Sequence, residues 1–303
     1  MKIGIIGYGE VGMIFASELN GRVDSVSAWD IKFPDAAASA QQRKHGALNH
    51  VQLCNSLQEM CGQVDFIFSM VTASNTLAVA ETAAKHIRAG TTFIDLNSAS
   101  PETKQSAAGL IRAARASYVE AGVMTSVPPY GLRVPILLGG ERAAEVATVL
   151  GDLGMNAKMV STEIGVASAV KMCRSVMIKG LEALVIESFT TARKYGVEEH
   201  MIATLQETFP SIDWEQQSAY FFSRVALHGA RRAEEMREVA RTVCESGFDP
   251  CMASAIAEKD AWMAQHRQLG TFDGIPAGAK WQAFADSLIL ANSFKRIKSE
   301  KLN

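Results

Sequence analysis

The sequence begins with an apolar run, Lys2-Ile3-Gly4-Ile5-Ile6, that leads straight into Gly7-Tyr8-Gly9-Glu10-Val11-Gly12. Apolar residues at helical spacing follow: Val11, Ile14, Phe15 and Leu19. A strand, a G-x-G-x-x-G turn and a helix in this order constrain the chain to open as a βαβ unit. Each glycine has a physical task. Gly7 permits the tight turn, Gly9 lets backbone N–H groups approach a pyrophosphate, and Gly12 lets helix and strand pack closely. The helix N-terminus adds unpaired donors and a positive dipole end. Asp30 closes the next apolar run, Val23 to Trp29, about 20 residues beyond the turn, where a carboxylate meets a ribose. Gly7, Tyr8, Gly9, Glu10, Val11, Gly12 and Asp30 are therefore the expected dinucleotide contacts. A plain strand–turn–helix, with glycines for packing alone, leaves the spacing of Asp30 without a reason.

The 303 residues suffice for about two domains. Apolar residues are 48% of the chain, enough for a sizeable core. The formal net charge of −2 argues against nucleic acid as a partner. Cys54, Cys61, Cys173, Cys244 and Cys251 are scattered with no C-x-x-C pair. No zinc site, metal centre or disulfide framework is expected from them. The N-terminus enters a strand directly, without a signal-peptide pattern. No apolar run approaches the ~20 residues of a membrane span. The expectation is a cytoplasmic protein with no membrane contact.

Residues 1–163 alternate strand and helix. Strands are expected at Lys2–Ile6, Val23–Trp29, Val51–Cys54, Val64–Val71, Thr92–Leu96, Tyr118–Val123, Ile136–Gly139 and Ala157–Val160. Helices are expected at Ala73–Ile87, Pro101–Ala114 and Glu141–Leu153. Strands this apolar, spaced by helices, imply a mostly parallel sheet covered on both faces. Short connections imply mixed direction among the last strands. From Val166 to Tyr195 there is no proline and only Gly180, which predicts one long helix. Helices are expected after it at Glu198–Thr208, Trp214–Phe222, His228–Glu245, Cys251–Gln265 and Lys280–Lys298. The fold class is α/β: a Rossmann-type domain over residues 1–163, then a long connecting helix and an all-helical domain over residues 164–303.

Ligands bind at the carboxyl ends of parallel strands. Val71-Thr72-Ala73-Ser74 and Asp95-Leu96-Asn97-Ser98-Ala99-Ser100-Pro101 occupy two such ends. Val71, Thr72 and Asn97 are expected to meet the cofactor, and Ser98 the substrate. Ser100, with Pro101, Glu102 and Lys104 after it, also reads as an ordinary helix cap. Lys171 lies at the start of the long helix among apolar neighbours. Ser175 and Lys179 share its face, with Glu182 close by. A desolvated lysine beside another lysine has a depressed pKa and can exchange a proton with an alcohol. A lysine snorkelling to solvent is the other reading, and spacing alone does not choose between them.

The glycine fingerprint, the D-L-N-S-x-S-P stretch and G-x-x-x-x-x-K opening a long helix together resemble the β-hydroxyacid dehydrogenase superfamily. Its members include 3-hydroxyisobutyrate dehydrogenase, tartronate semialdehyde reductase and 6-phosphogluconate dehydrogenase. The resemblance runs end to end in order and size. Lys171–Leu184, read as K-M-x-x-S-x-x-x-K-G-x-x-A-L, resembles a less-characterised 6-phosphogluconate-dehydrogenase-like branch. The resemblance implies that Lys171 is the general acid/base. It also implies that Ser175 stands where relatives orient substrate with an asparagine. Imine reductases share this fold but usually lack the lysine.

The substrate loop departs from the superfamily's D-A-P-V-S-G-G. It reads Glu120-Ala121-Gly122-Val123-Met124-Thr125-Ser126, then Val127-Pro128-Pro129-Tyr130-Gly131. Thr125 and Ser126 replace the paired glycines, which places substrate identity, not reaction class, in question. Lys179 has no counterpart in the better-known enzymes, and either contacts an anion or is solvated. His228, Arg231, Arg232 and Glu235 fall on one helix side, as an anion clamp or as a solvated charged face. Phe209, Trp214, Tyr220, Phe221, Trp262 and Trp281 are read as core and dimer packing in preference to a pocket.

Asp30 favours NAD, since a carboxylate accepts bonds from a 2′-hydroxyl and repels a 2′-phosphate. Lys32 softens that repulsion, which keeps NADP open. The expected function is NAD(P)-dependent hydride transfer to or from a hydroxy acid or related alcohol. Its catalytic residues are Lys171 and Ser175. Ser98, Thr125, Ser126, Lys179, His228 and Arg231 are the expected contacts to a small anionic substrate, and the chain is expected to form a homodimer. The competing readings are a non-catalytic dinucleotide-binding sensor or scaffold, and a physiological aldehyde or ketone reductase.

Overall fold

A computed structural model describes the backbone of residues 1–300 and side chains through Ser293. The last three residues of the expected second domain lie outside the described residues. Backbone packing divides the chain into two compact units, with the boundary between Cys173 and Arg174.

In the first unit, strands β1 (Lys2–Ile6), β2 (Ser25–Trp29), β3 (Gln52–Leu53), β4 (Phe66–Ser69), β5 (Thr92–Asp95), β6 (Ser117–Val123), β7 (Ile136–Gly139) and β8 (Ala157–Ser161) form one sheet in the order β3-β2-β1-β4-β5-β6-β7-β8. All neighbours are parallel except β6 and β7, which are antiparallel, as the short connections implied. The strand order reverses between β1 and β4, the place where such sheets open a ligand crevice. Alternation along the strands feeds two cores. Ile3, Ile5, Phe68, Ile94 and Val119 join one, and Ile6, Ile67, Phe93 and Tyr118 join the other. Period-two burial on both faces is what a helix-covered parallel sheet requires.

Helices α1 (Glu10–Leu19), α2 (Ala40–Leu48), α3 (Leu57–Cys61), α4 (Thr76–Ala84), α5 (Pro101–Ala113) and α6 (Ala143–Asp152) connect these strands. Two of them, α2 and α3, were not expected. Of α2 only Gln42 and Gly46 are buried, so it carries no apolar stripe to read. The segment expected as helix from Ala73 begins instead with a 3-10 turn, Ala73–Asn75, before α4.

Helix α7 (Val166–Tyr195) matches the expected long helix in both bounds, and the unit boundary falls inside it. The second unit continues with α8 (Glu198–Thr208), α9 (Trp214–Glu245), α10 (Cys251–Gln268) and α11 (Trp281–Glu300). Helix α9 corrects the expectation of two helices. Ser223-Arg224-Val225-Ala226-Leu227 contains no glycine or proline, so nothing stops the first turn pattern from running into the next. Phe189, Trp214, Phe221, Phe222, Val225, Met263, Trp281 and Leu288 form the core of this unit. Trp214 and Trp281 are thus packing residues, whereas Phe209 and Tyr220 are exposed. No helix among the described residues is long and apolar enough to cross a membrane.

Candidate active site

The fingerprint turn is built as its glycines demand. Gly7 has φ +90°, and a Cβ there would lie 2.5 Å from the Met70 carbonyl oxygen. A Cβ on Gly12 would collide with the Gly7 carbonyl oxygen, so α1 crosses β1 at a distance only glycine permits. At Gly9 a Cβ would meet nothing within 4 Å, and Gly9 caps α1 without any side-chain hydrogen bond. The space beside Gly9 at the N-terminus of α1 is thus open among the described residues, which suits a pyrophosphate. Glu10 is exposed and Val11 half-buried at this end.

Asp30 is buried, and its carboxylate accepts the Tyr8 N–H at 2.7 Å and the Lys32 N–H at 3.0 Å. It thereby ties the fingerprint turn to the end of β2 and keeps further lone pairs for a ribose. The Tyr8 N–H is committed to this bond. The Tyr8 side chain is core: its hydroxyl meets His45 Nδ1 at 2.8 Å, and burial pushes its pKa above the ordinary value.

The ends of β4 and β5 are joined by Asn97. Its Oδ1 accepts the Val71 N–H at 2.7 Å, and its Nδ2 donates to Ser69 Oγ at 2.9 Å. Thr72 is exposed, and its hydroxyl accepts from Asn75 Nδ2 at 2.8 Å. Ser100 is the helix cap of α5, accepting the Thr103 N–H at 3.4 Å. Beneath this loop lies a network that sequence reasoning missed. Lys104 Nζ sits 2.8 Å from Asp95 Oδ1 and donates to the Asp95 carbonyl at 3.0 Å. The Tyr118 hydroxyl donates to Asp95 Oδ2 at 2.6 Å, and the Asn97 N–H to Oδ1 at 3.0 Å. Lys104 and Asp95 are 1% and 0% exposed. Burial and the neighbouring Asp95 charge hold the Tyr118 hydroxyl well above its usual pKa.

Lys171 and Ser98 are brought together: Lys171 Nζ donates to Ser98 Oγ at 2.6 Å, both side chains being half-buried. The start of α7 that carries Lys171 is seated on Glu120, which is fully buried. Glu120 Oε1 accepts the Gly165 N–H at 2.7 Å and the Ala167 N–H at 3.0 Å. Its Oε2 accepts the Ser168 N–H at 3.3 Å and the Ser168 hydroxyl. A carboxylate at a helix N-terminus satisfies orphan donors and opposes the dipole. Two glycines make room. A Cβ at Gly139 would lie 2.5 Å from Glu120 Oε1, and one at Gly122 would lie 3.1 Å from the Ala167 carbonyl oxygen. The signal in the sequence was Glu120 itself, an acid inside an otherwise apolar strand.

In the loop after β6, Thr125 is exposed and Ser126 half-buried. The loop is anchored at both ends. The Met124 N–H donates to the Pro135 carbonyl at 2.9 Å, and the Leu132 N–H to Glu18 Oε2 of α1 at 3.2 Å. Gly131 has φ +55° and lies against the Glu18 carboxylate.

Ser175 is half-buried on α7. Lys179 is neither solvated nor held for an outside anion. It is 8% exposed, and its Nζ meets Glu235 Oε2 at 2.6 Å. Burial lowers its pKa, against the pull of Glu235. Neither reading of the His228 to Glu235 face holds for Arg232, which is 3% exposed and ion-paired with buried Glu182. Arg231 is exposed, 3.9 Å from Glu235, and His228 is half-buried. Asp260 completes this cluster: it is fully buried, and neither carboxylate oxygen is hydrogen-bonded among the described residues.

Burial pushes the Asp260 carboxyl from 3.8 up to about 6, although Arg232 and Lys179 pull it down and Glu235 pushes it up. The raised native pKa means that ionising Asp260 costs stability. That cost is absent below about pH 4, develops as pH rises to about 6, and is complete above it. Asp260→Asn is therefore expected to stabilise the protein by about 3 kcal/mol at pH 7, with the gain shrinking toward pH 4. Urea unfolding at the two pH values checks this, and a destabilised variant at pH 7 would contradict it.

All five cysteines are free, Cys54 and Cys61 being buried, with burial raising their thiols to about 11 and about 12. No group of three or more metal-ligating side chains occurs among the described residues.

Comparison with known proteins places this geometry. Residues 2–165 match the NAD binding domain of 6-phosphogluconate dehydrogenase, and residues 192–263 match a domain of unknown function, DUF1932. A conserved hypothetical protein from Sinorhizobium meliloti is 40% identical, covering 95% of each chain, with a TM-score of 0.74. The conserved protein MTH1747, described as structurally similar to 3-hydroxyacid dehydrogenases, is 30% identical. That match covers 89% of this chain and 99% of MTH1747, with a TM-score of 0.68. Mycobacterium tuberculosis 3-hydroxyisobutyrate dehydrogenase, solved with L-serine, shares the fold at 17% identity, covering 95% and 98% of the two chains, with a TM-score of 0.67. The fingerprint turn, the sheet order and the match over residues 2–165 agree, and the chain belongs to the family defined by the NAD binding domain of 6-phosphogluconate dehydrogenase.

Proposed function

We propose that the protein is an NAD(P)-dependent oxidoreductase acting on a β-hydroxy acid or a related alcohol, with Lys171 as its general acid/base. The observation that carries this reading is the 2.6 Å hydrogen bond between Lys171 Nζ and Ser98 Oγ. It sets a lysine beside the carboxyl end of β5, in the unit that holds the fingerprint turn.

Gly7, Gly9 and Gly12 with the open N-terminus of α1 would hold the pyrophosphate, and Asp30 the adenosine ribose. The nicotinamide, when bound, supplies the hydride acceptor or donor. Lys171 in its neutral form takes the proton of the substrate hydroxyl at Nζ during oxidation. In its ammonium form it returns that proton to the carbonyl oxygen during reduction. Ser98 holds the lysine in place, and with Thr125 and Ser126 supplies hydroxyl donors to a substrate carboxylate.

A panel of hydroxy acids that includes 3-hydroxyisobutyrate and L-serine, offered with NAD and with NADP, tests the reading at the nicotinamide absorbance. Turnover is expected, with NAD preferred because the Asp30 carboxylate repels a 2′-phosphate. Tight dinucleotide binding with no turnover on hydroxy acids, or on the corresponding aldehydes and ketones, would favour a non-catalytic binding protein.

A further inference from the structure

We infer that Glu120 is a positioning residue of the reaction: its buried carboxylate fixes where α7 begins and so where Lys171 stands. The inference rests on the acid/base reading of Lys171 but names a different residue and a different physical cause. Four donors converge on one carboxylate, the N–H groups of Gly165, Ala167 and Ser168 and the Ser168 hydroxyl. A helix cap commonly satisfies one or two such groups with a neutral side chain from the preceding residue. Here the cap comes from a strand 45 residues earlier in the chain.

That origin makes the cap a geometric link. Glu120 lies on β6, paired with Asp95 of β5 on one side and with Gly139 of β7 on the other. Three residues beyond Asp95 is Ser98, the partner of Lys171. The same pair of neighbouring strands therefore sets both partners of the hydrogen bond, Ser98 through the end of β5 and Lys171 through the carboxylate on β6. The absence of side chains at Gly139 and Gly122 leaves the room that this seating needs. Lys171 follows Ala167 by four residues, about one helical turn, so a tilt of the first turn displaces its Cα directly.

Glu120→Gln keeps the shape but offers only one acceptor, with its NH2 group facing the Ser168 N–H. A crystal structure of this variant is expected to show the first turn of α7 displaced and the Lys171–Ser98 hydrogen bond broken. Hydrogen exchange at Gly165, Ala167 and Ser168 is expected to accelerate. With a hydroxy acid that the wild type turns over, kcat is expected to fall about tenfold, with the Kd for NADH unchanged. In a Lys171→Ala background the same change is expected to have little further effect, since Glu120 acts through the lysine.

Retention of the Lys171–Ser98 hydrogen bond in the variant overturns the inference, as does an equal loss of turnover in both backgrounds. If Glu120→Gln does not fold, Ser168→Ala removes a single bond to the same carboxylate and is read by the same measurements. A broken Lys171–Ser98 bond together with full turnover in Lys171→Ala alone sinks the acid/base reading and leaves the seating of α7 standing.

Discussion

Lys171→Ala is expected to lower turnover by about 10² or more while leaving the affinity for NADH unchanged. The separation follows from where the groups lie. On the proposed function, the dinucleotide's phosphates and ribose would be met by the turn from Gly7 to Gly12 and by Asp30, whose carboxylate accepts the Tyr8 and Lys32 N–H groups, whereas Lys171 donates to Ser98. The lysine is tied to Ser98, which follows β5 on the β4 side of the crevice. Lys171→Arg sharpens the test. A guanidinium keeps the positive charge and the hydrogen bond but cannot give up its proton near neutral pH. If Lys171 only attracted an anionic substrate, the arginine variant would retain turnover and the alanine variant would show a raised KM. If it moves a proton, both variants lose kcat. Near-wild-type turnover in Lys171→Ala would falsify the mechanism outright.

The largest expected effect on stability comes from the buried pair below the Ser98 loop. Lys104→Met should destabilise the first unit by about 3–5 kcal/mol, because it leaves the Asp95 carboxylate buried without its cation. Asp95 would keep the Tyr118 hydroxyl and the Asn97 N–H, but neither carries a compensating charge. Adding Asp95→Asn to Lys104→Met removes the orphaned charge as well. The double variant should therefore recover a large part of the loss, since an ion pair replaced as a whole often costs little. Urea midpoints of the wild type and the variants decide this. A single variant within about 1 kcal/mol of wild type would show that water reaches Asp95, contrary to its complete burial.

The sheet and the long helix were readable because burial writes directly into sequence. Strands covered on both faces are continuous apolar runs, and Val166–Tyr195 has no interruption for helical spacing to lose. The fingerprint was readable because each glycine answers to a steric demand. What was not readable are the long-range partners of polar residues. Lys104 in sequence is one charge in the first turn of a capped helix; in space it is the counterion of Asp95. Glu120 begins a loop motif in sequence and seats a helix in space. Lys179 and Arg232 read as open charges, yet Glu235 and Glu182 take them inside the helical unit. Local pattern carries no record of which side chain elsewhere in the chain will supply the opposite charge, whether nine residues away for Lys104 or 56 for Lys179. The short exposed helix α2 was missed for the converse reason, since a segment that buries almost nothing shows no period.

The anchoring of residues 124–132 bears on how this scaffold can diverge. One end is fixed through the Met124 N–H to Pro135, the residue before β7, the other to α1 through Glu18 and Leu132. Between them, Thr125, Pro128, Pro129 and Tyr130 are exposed. Substitutions at these positions leave both anchors and the glycine turn untouched. On the proposed function, in which Thr125 and Ser126 meet the substrate, the span would be a cassette in which selectivity for the reacting molecule is rewritten at little risk to the framework. Laboratory selection for new substrates has its natural starting library there.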